Sequence, residues 1–382
     1  MSYPPTKRTG WQPSGSPRTV NNGFLLQGLD GLRNLNPITS YSWIAGTSPV
    51  IAVPGCPRMW KGSPPTTVPA DRGEYYADGN ACHMGHRSPL VPIFAAIDTL
   101  HGNFRYQELD LVTDRNNLRK LLRCINQQHD EAFRIDVDLV GKTCLLTRRD
   151  EVTKETVTEF RGFGHEYEKA ATKPRRGSEA EVGHHRIVTY DFGGLRVLLR
   201  YEVDACTESK SDDSDLLTSF SSLTIGDQRP TSQQDLAYVN RFGIRVKLTN
   251  PRSVVPQSRV IEIKTRSSHR TLDWKEAYPQ LYLSQTPYLY LAKHTKGSFH
   301  PVEKINLNGQ AVIPYANEAK GAMSKLEVLL GSILKAVRKQ GEGKPLSLVY
   351  SEGKLKLYKR KEGSGKPIDV EISRKFHGGK SS

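Results

Sequence analysis

Short runs of β-branched and aromatic residues, closed by Gly or Asp turns, recur between residues 132 and 293, and they constrain the fold more than any other feature of the chain. A strand sends alternate side chains to opposite faces and cannot satisfy its backbone alone, so such runs must assemble into a sheet. Segments 132–138, 143–148, 156–160, 186–190, 195–203 and 259–265 read as strands, and together they predict one mixed sheet. Residues 104–112 read as a further strand feeding a helix over 116–125, where Leu118, Leu121, Leu122 and Ile125 share one face. A Pro-containing helix is predicted near 274–285, followed by a strand over 288–293 and an amphipathic helix over about 317–339. The apolar stripe of that last helix runs through Met323, Leu326, Leu329, Leu330, Ile333, Leu334 and Val337. The fold class is α+β: a mixed β-sheet core with flanking helices.

Polar segments surround this core. Residues 1–40, rich in Pro, Gly, Ser and Asn, read as a disordered N-terminal segment, and residues 41–92 as an irregular surface layer. A Ser- and Asp-rich stretch from 207 to about 236 reads as a flexible loop, the start of an insertion reaching about residue 254. The expected organisation is a domain over 41–300 carrying that insertion, then a C-terminal part over 301–382 with the long helix, a basic hairpin over 346–361 and a tail. From Gly353 to Lys380 nine Lys or Arg face three acids, which suits either a solvated tail or an RNA contact.

Charge narrows the class of partner. With 55 Lys and Arg against 40 Asp and Glu, the net charge of +15 attracts polyanions. Five cysteines at irregular spacing, with no CxxC pair, support neither a disulfide framework nor a four-cysteine zinc site. Cys82, His83 and His86 lack a fourth zinc ligand at the usual spacing. No apolar run is long enough for a membrane helix and the N-terminus lacks a signal-peptide core, so a nuclear or cytoplasmic location with no membrane contact is expected.

Chemistry concentrates in three places. The 195–203 strand runs into Glu202-Val203-Asp204, and the 259–265 strand contains Glu262-Ile263-Lys264. Residues two apart on a strand share a face, so pairing of these strands would bring three carboxylates and one ammonium together. Upstream, Gly164-His165-Glu166-Tyr167-Glu168 opens a helical pattern that could add Glu168. Such carboxylates repel one another unless a hard divalent cation joins them, which points to Mg2+ or Mn2+ held by Glu168, Glu202, Asp204 and Glu262. Phosphodiester hydrolysis is the matching reaction, with Lys264 stabilising developing negative charge. The same repulsion predicts that Glu262→Gln raises stability in chelator.

A helix acid, then E-x-D, then E-x-K is the order of PD-(D/E)XK nucleases, and the set resembles one branch of them, the decapping exoribonuclease (DXO) family. Val112-Thr113-Asp114-Arg115-Asn116-Asn117 is similar to that family's first motif, Gly164 through Glu168 to its G-x-x-x-E, and Glu262-Ile263-Lys264-Thr265 to its E-x-K-T. Tyr278-Pro279-Gln280-Leu281 is similar to a helix with an active-site glutamine. The resemblance implies Arg115 as an RNA contact, and Gln280 near the nucleophilic water and the substrate. It implies Glu202 and Lys264 in catalysis, the 5′ end of RNA as substrate, and another RNA nuclease as a protein partner. Tyr278 stands where the family has tryptophan, and Pro279 is expected to kink the helix and shift Gln280.

Three other functions compete. A non-catalytic protein could keep the fold and bind RNA or a partner, though no metal ligand is lost here. The same centre could cut DNA. A prenyl-diphosphate synthase would need Asp-rich motifs on long helices, whereas Asp212-Asp213-Ser214-Asp215 lies in a polar loop. His184 and His185 are expected at the surface, His165 packed beside the site, and Tyr288 and Tyr290 in sheet packing.

Overall fold

In the Leu195–Glu202 strand, Val197, Leu199 and Tyr201 enter one hydrophobic core while Leu198 enters another. Cys144 and Leu146 face the first core and Leu145 the second, so the central strands are apolar on both sides and must be covered on both. The computed structural model describes residues 18–19, 31–46, 48–127, 132–208, 238–249, 253–361 and 363–377. On one face helices Arg115–Ile125, Trp274–Ser284 and Ile313–Gln340 pack together, with Leu118, Leu121, Leu326, Leu330 and Ile333 buried against the sheet. On the other face lies Val91–Leu100, whose Ile93, Phe94 and Ile97 are fully buried.

The large sheet has twelve strands. From one edge they are Arg18–Thr19, Lys354–Lys359, Leu346–Ser351, Phe133–Val140, Thr143–Arg149, Leu111–Asp114, Leu195–Glu202, Glu181–Phe192, Arg33–Ile44, Val50–Val53, Ile244–Leu248 and Tyr238–Arg241. Leu111–Asp114 runs parallel to both its neighbours, and the helix Arg115–Ile125 follows it directly. A seven-stranded sheet holds Thr172–Lys173, Met59–Trp60, Ala205–Cys206, Val260–Ser267, Tyr288–Thr295 and Ser298–Phe299, with Glu303–Asn306 also on Tyr288–Thr295.

The α+β class with a mixed sheet and flanking helices holds, and four details differ from the sequence reading. The strands expected at 259–265 and 288–293 lie in the second sheet, because alternation gives a strand its faces but not its sheet. The 156–160 strand is Lys154–Val157, set apart in a pair with Gly73–Tyr76. Only Leu111–Asp114 of the 104–112 stretch is extended; Tyr106 turns inward against Phe94 and Phe376, its hydroxyl donating to Asp98 at 2.7 Å.

The fourth difference lies within residues 41–92, where Tyr41, Trp43, Ile51, Val53, Met84, Leu90 and Val91 are core rather than part of a surface layer. Tyr41 and Trp43 are buried in a strand of 12 residues, and the intervening Ser40 and Ser42 are buried with their hydroxyls bonded to Gly55 O and His184 Nδ1. Those serines disguised the strand. Of the expected disordered N-terminus, residues 33–40 belong to this strand and most of the rest lies outside the described residues, as do 209–237 of the insertion. Its remainder includes the hairpin Tyr238–Arg241/Ile244–Leu248 at the sheet edge. The predicted basic hairpin forms at the opposite end, paired to Phe133–Val140.

Candidate active site at the junction of two sheets

Between Glu202 and Asp204 the chain passes from one sheet into the other. Glu202 ends its strand opposite His185, and the amide of Val203 donates to His184 O at 3.0 Å. Ala205 then pairs with Ile261 in the small sheet, which sets Asp204 beside Glu262. Asp204 Oδ2 accepts a hydrogen bond from the amide of Ile263 at 2.7 Å. The two motif strands are thus joined by the short Ala205–Cys206 strand rather than paired along their lengths. Upstream, the buried Arg200 holds Asp114 through two bonds of 2.6 and 2.9 Å, fixing the strand ends from which Glu202 and Arg115 project.

Glu262 is the hub. It is 3% exposed and accepts from Lys264 Nζ at 2.9 Å, from Arg115 Nη1 at 3.2 Å and from Gln280 Nε2. Burial works against its charge, but Lys264 and Arg115 outweigh that and hold the carboxyl down at about 2. Arg115 also donates to Ser284 Oγ at 3.0 Å and to Glu202 O at 3.4 Å. The helix continues through Pro279 to Ser284, so the expected kink does not displace Gln280 from the site.

Glu168 approaches from the helix Gly164–Ala171. That helix has no side-chain cap of its own; Asp71, from a distant loop, accepts the Glu166 amide at 2.9 Å and takes that place. Tyr167, fully buried against Phe299, fixes the rotation that turns Glu168 inward. Burial, then Asp204, Glu202 and Glu262, push the Glu168 carboxyl well above the usual range. Asp204 is pushed up to about 8 by burial and Glu262, against Lys264 and the Ile263 amide. Surrounding protein also raises Glu202, despite Arg115.

These side chains are all oxygen donors carrying more negative charge than the nearby cations offset, the chemistry a hard divalent ion requires. Asp204 Oδ1 and the Glu168 carboxylate have no hydrogen-bond donor among the described residues. The residues therefore fit Mg2+ or Mn2+ by donor type. As they stand, no three of the described Asp, Glu, His or Cys side chains close around one point, because the Glu262 oxygens already carry Lys264, Gln280 and Arg115.

Several contributors were not predicted. Ser284 and Asp71 are single polar residues without a spacing signal. Arg119 and Arg123 follow Arg115 at four-residue steps and hold Glu276 at 3.1 and 2.7 Å, clamping the Gln280 helix to the Arg115 helix. His184 and His185 are buried rather than at the surface: His185 stacks on Tyr41 at 5.0 Å and bonds Asn80 Nδ2 at 2.9 Å. His165 stacks on Tyr75 at 3.9 Å, Tyr290 packs on Trp60, and His83 stacks on Trp43.

A family described as a domain of unknown function, DUF8563, matches residues 32–362. The chain belongs to that family. No curated protein matches. Among solved structures, this DUF8563 chain is similar to Candida albicans Rai1 in complex with pU5-Mn2+, at 14% identity and a TM-score of 0.58, covering 95% of this chain and 99% of that one. It is similar to S. pombe Rai1 in complex with 3′-FADP, at 13% identity and a TM-score of 0.56, over 87% and 97% of the two chains. Scheffersomyces stipitis Rai1 with (3′-NADP)+ and calcium ion gives 12% and 0.55, over 94% and 99%. The fold is the Rai1 fold, in agreement with the sequence resemblance to the decapping exoribonucleases.

Proposed function

We propose that this protein is a metal-dependent phosphohydrolase acting at the 5′ end of RNA, releasing nucleotides or a cap-like group. One observation carries the reading: Asp204 is bonded to the Ile263 amide between Glu262 and Lys264, with Glu168 and Glu202 near enough to act on its charge, where two sheets meet in a fold shared with Rai1. A Rai1 with this fold was crystallised with pU5 and Mn2+, another with 3′-FADP.

Glu168, Asp204, Glu262 and Glu202 would hold Mg2+ or Mn2+. Such an ion, when bound, acidifies water and offsets charge on a phosphate. Lys264, 34% exposed and tied to Glu262, stabilises negative charge growing on a phosphoryl oxygen. Gln280 shares Glu262 Oε1 with Lys264 while Arg115 takes Oε2, and together they fix the plane of the carboxylate. Gln280 Nε2 and Arg115 are the donors next to Glu262 that a substrate phosphate or the attacking water would meet.

A second reading, RNA binding without hydrolysis, is favoured by the complete set of protein donors already on Glu262. One experiment separates the two. Wild type and Asp204→Asn are incubated with 5′-triphosphate, 5′-monophosphate and capped RNAs, with and without Mn2+. Mn2+-dependent release by wild type alone supports the enzyme; binding with no product in any arm overturns it.

A further inference from the structure

Beside the acidic centre three rings form a ladder from core to solvent. Trp43, 1% exposed, lies flat against His83 with centroids 4.4 Å apart and planes 21° from parallel. His83 contacts Tyr76 at 5.3 Å, tilted by 45°. Tyr76 is 52% exposed and ends the ladder in solvent, with Lys154 Nζ 5.9 Å from its ring centre. The foot of the ladder is near the catalytic acids: a methyl group added at Gly183 would lie 3.8 Å from Glu202 Oε1 and 3.9 Å from Trp43 Cδ1. The strand that carries Tyr76, Gly73–Tyr76, also carries Tyr75, stacked on His165 of the Glu168 helix. It therefore spans from the acid helix to the ladder.

The outer ring is half exposed and takes no part in the acid centre. An aromatic ring rooted in buried neighbours is already ordered, so a planar ligand can stack on it at little conformational cost. Lys154, held by Glu74 at 2.8 Å, carries its ammonium over the Tyr76 ring; it is a long surface side chain that an incoming base would displace towards its own phosphate. Every nucleobase offers a flat face, and stacking on aromatic side chains is how single strands are held without sequence preference.

We infer that Tyr76, backed by His83 and Trp43, is a nucleobase-stacking site that holds an unpaired base of the RNA whose 5′ end enters the acidic centre. This rests on the function proposed above and adds which part of the substrate the ladder takes. It implies a single-stranded 5′ end, because a paired base offers its flat face to its own helix.

The test measures binding of 5′-phosphorylated single-stranded RNA to the full-length protein in Ca2+, for wild type, Tyr76→Ala and Tyr76→Phe. A set of RNAs carries one abasic nucleotide at successive positions from the 5′ end. Tyr76→Ala is expected to weaken binding roughly 5- to 100-fold and Tyr76→Phe to retain it. One abasic position should weaken wild type by a similar factor and leave Tyr76→Ala unchanged. Equal affinities of wild type and Tyr76→Ala, or an abasic penalty of equal size in both, overturn the stacking site. Mn2+-dependent hydrolysis measured in parallel keeps the readings apart: wild-type turnover with no effect of Tyr76→Ala on binding removes the ladder alone. Absence of both binding and turnover in wild type removes the ladder and the proposed function together.

Discussion

Asp204 Oδ2 is 2.7 Å from the amide nitrogen of Ile263, which lies between Glu262 and Lys264. That one bond ties the E-x-D segment to the E-x-K strand and leaves the other Asp204 oxygen without a donor among the described residues. It also separates the acids into two kinds: Glu262 is surrounded by donors, while Glu168 and Asp204 carry the uncompensated charge.

Neutralising the two kinds has opposite effects on stability. In chelator, Glu262→Gln leaves the buried Arg115 without its carboxylate and lowers the melting temperature, a loss on the order of 3 kcal/mol. Glu168→Gln removes repulsion and raises it. Like-charge repulsion alone predicted a gain for Glu262→Gln; the contacts to Lys264, Arg115 and Gln280 reverse that sign. Thermal unfolding of both variants in EDTA decides the matter, and matching shifts would remove the distinction.

Divalent metal should stabilise the wild type. At a hundredfold excess over its dissociation constant, Mn2+ adds about 2.7 kcal/mol and raises the melting temperature accordingly. The double variant Glu168→Gln/Asp204→Asn should give no shift. Calorimetric scans with and without Mn2+ would show it, and an equal rise in the double variant would place the ion elsewhere.

Asp71→Ala removes the oxygen that caps the Glu168 helix from outside. The expected cost is about 1 kcal/mol of stability, together with weaker Mn2+ binding, because the helix end that carries Glu168 frays. Asp71→Asn, which keeps the acceptor, should restore most of both. Isothermal titration of metal across the three proteins tests it.

The two buried histidines should begin to cost stability just below neutrality. Burial, then Arg200, holds His185 down at about 3, and burial with Arg186 holds His184 well below its usual value. Below pH 6.5 the unfolded chain takes up protons that the native histidines refuse. The contribution of these two histidines is therefore full above 6.5 and declines towards pH 3, by up to about 1.4 kcal/mol per pH unit for each, while the raised carboxyls of Asp204 and Glu168 act in the opposite direction. Urea midpoints from pH 7 to pH 4 should fall less steeply in His185→Gln than in wild type. Parallel slopes would assign the decline to other groups.

Much of the site was legible because its chemistry follows strand and helix periodicity. Glu202, Asp204, Glu262 and Lys264 sit at two-residue spacing, and Arg115 opens a clear helix. What the sequence hid was tertiary. The assignment of strands to two sheets depends on which apolar faces meet, which alternation leaves open. The Tyr41–Trp43 strand was masked by serines that bury their hydroxyls in hydrogen bonds. Asp71 and Ser284 act through single contacts across long separations, 95 residues for Asp71 and Glu166, and 169 for Arg115 and Ser284.

Because the polypeptide changes sheets at Val203, Glu202 moves with one slab of the molecule and Asp204 with the other. A small rotation of either slab would therefore alter the gap between these two oxygen donors together with the Arg115–Glu262 contact, which crosses the same seam. Substitutions that loosen the seam next to the acids, as at the Ala205–Ile261 pairing, should be read out as changed ion preference rather than as lost folding.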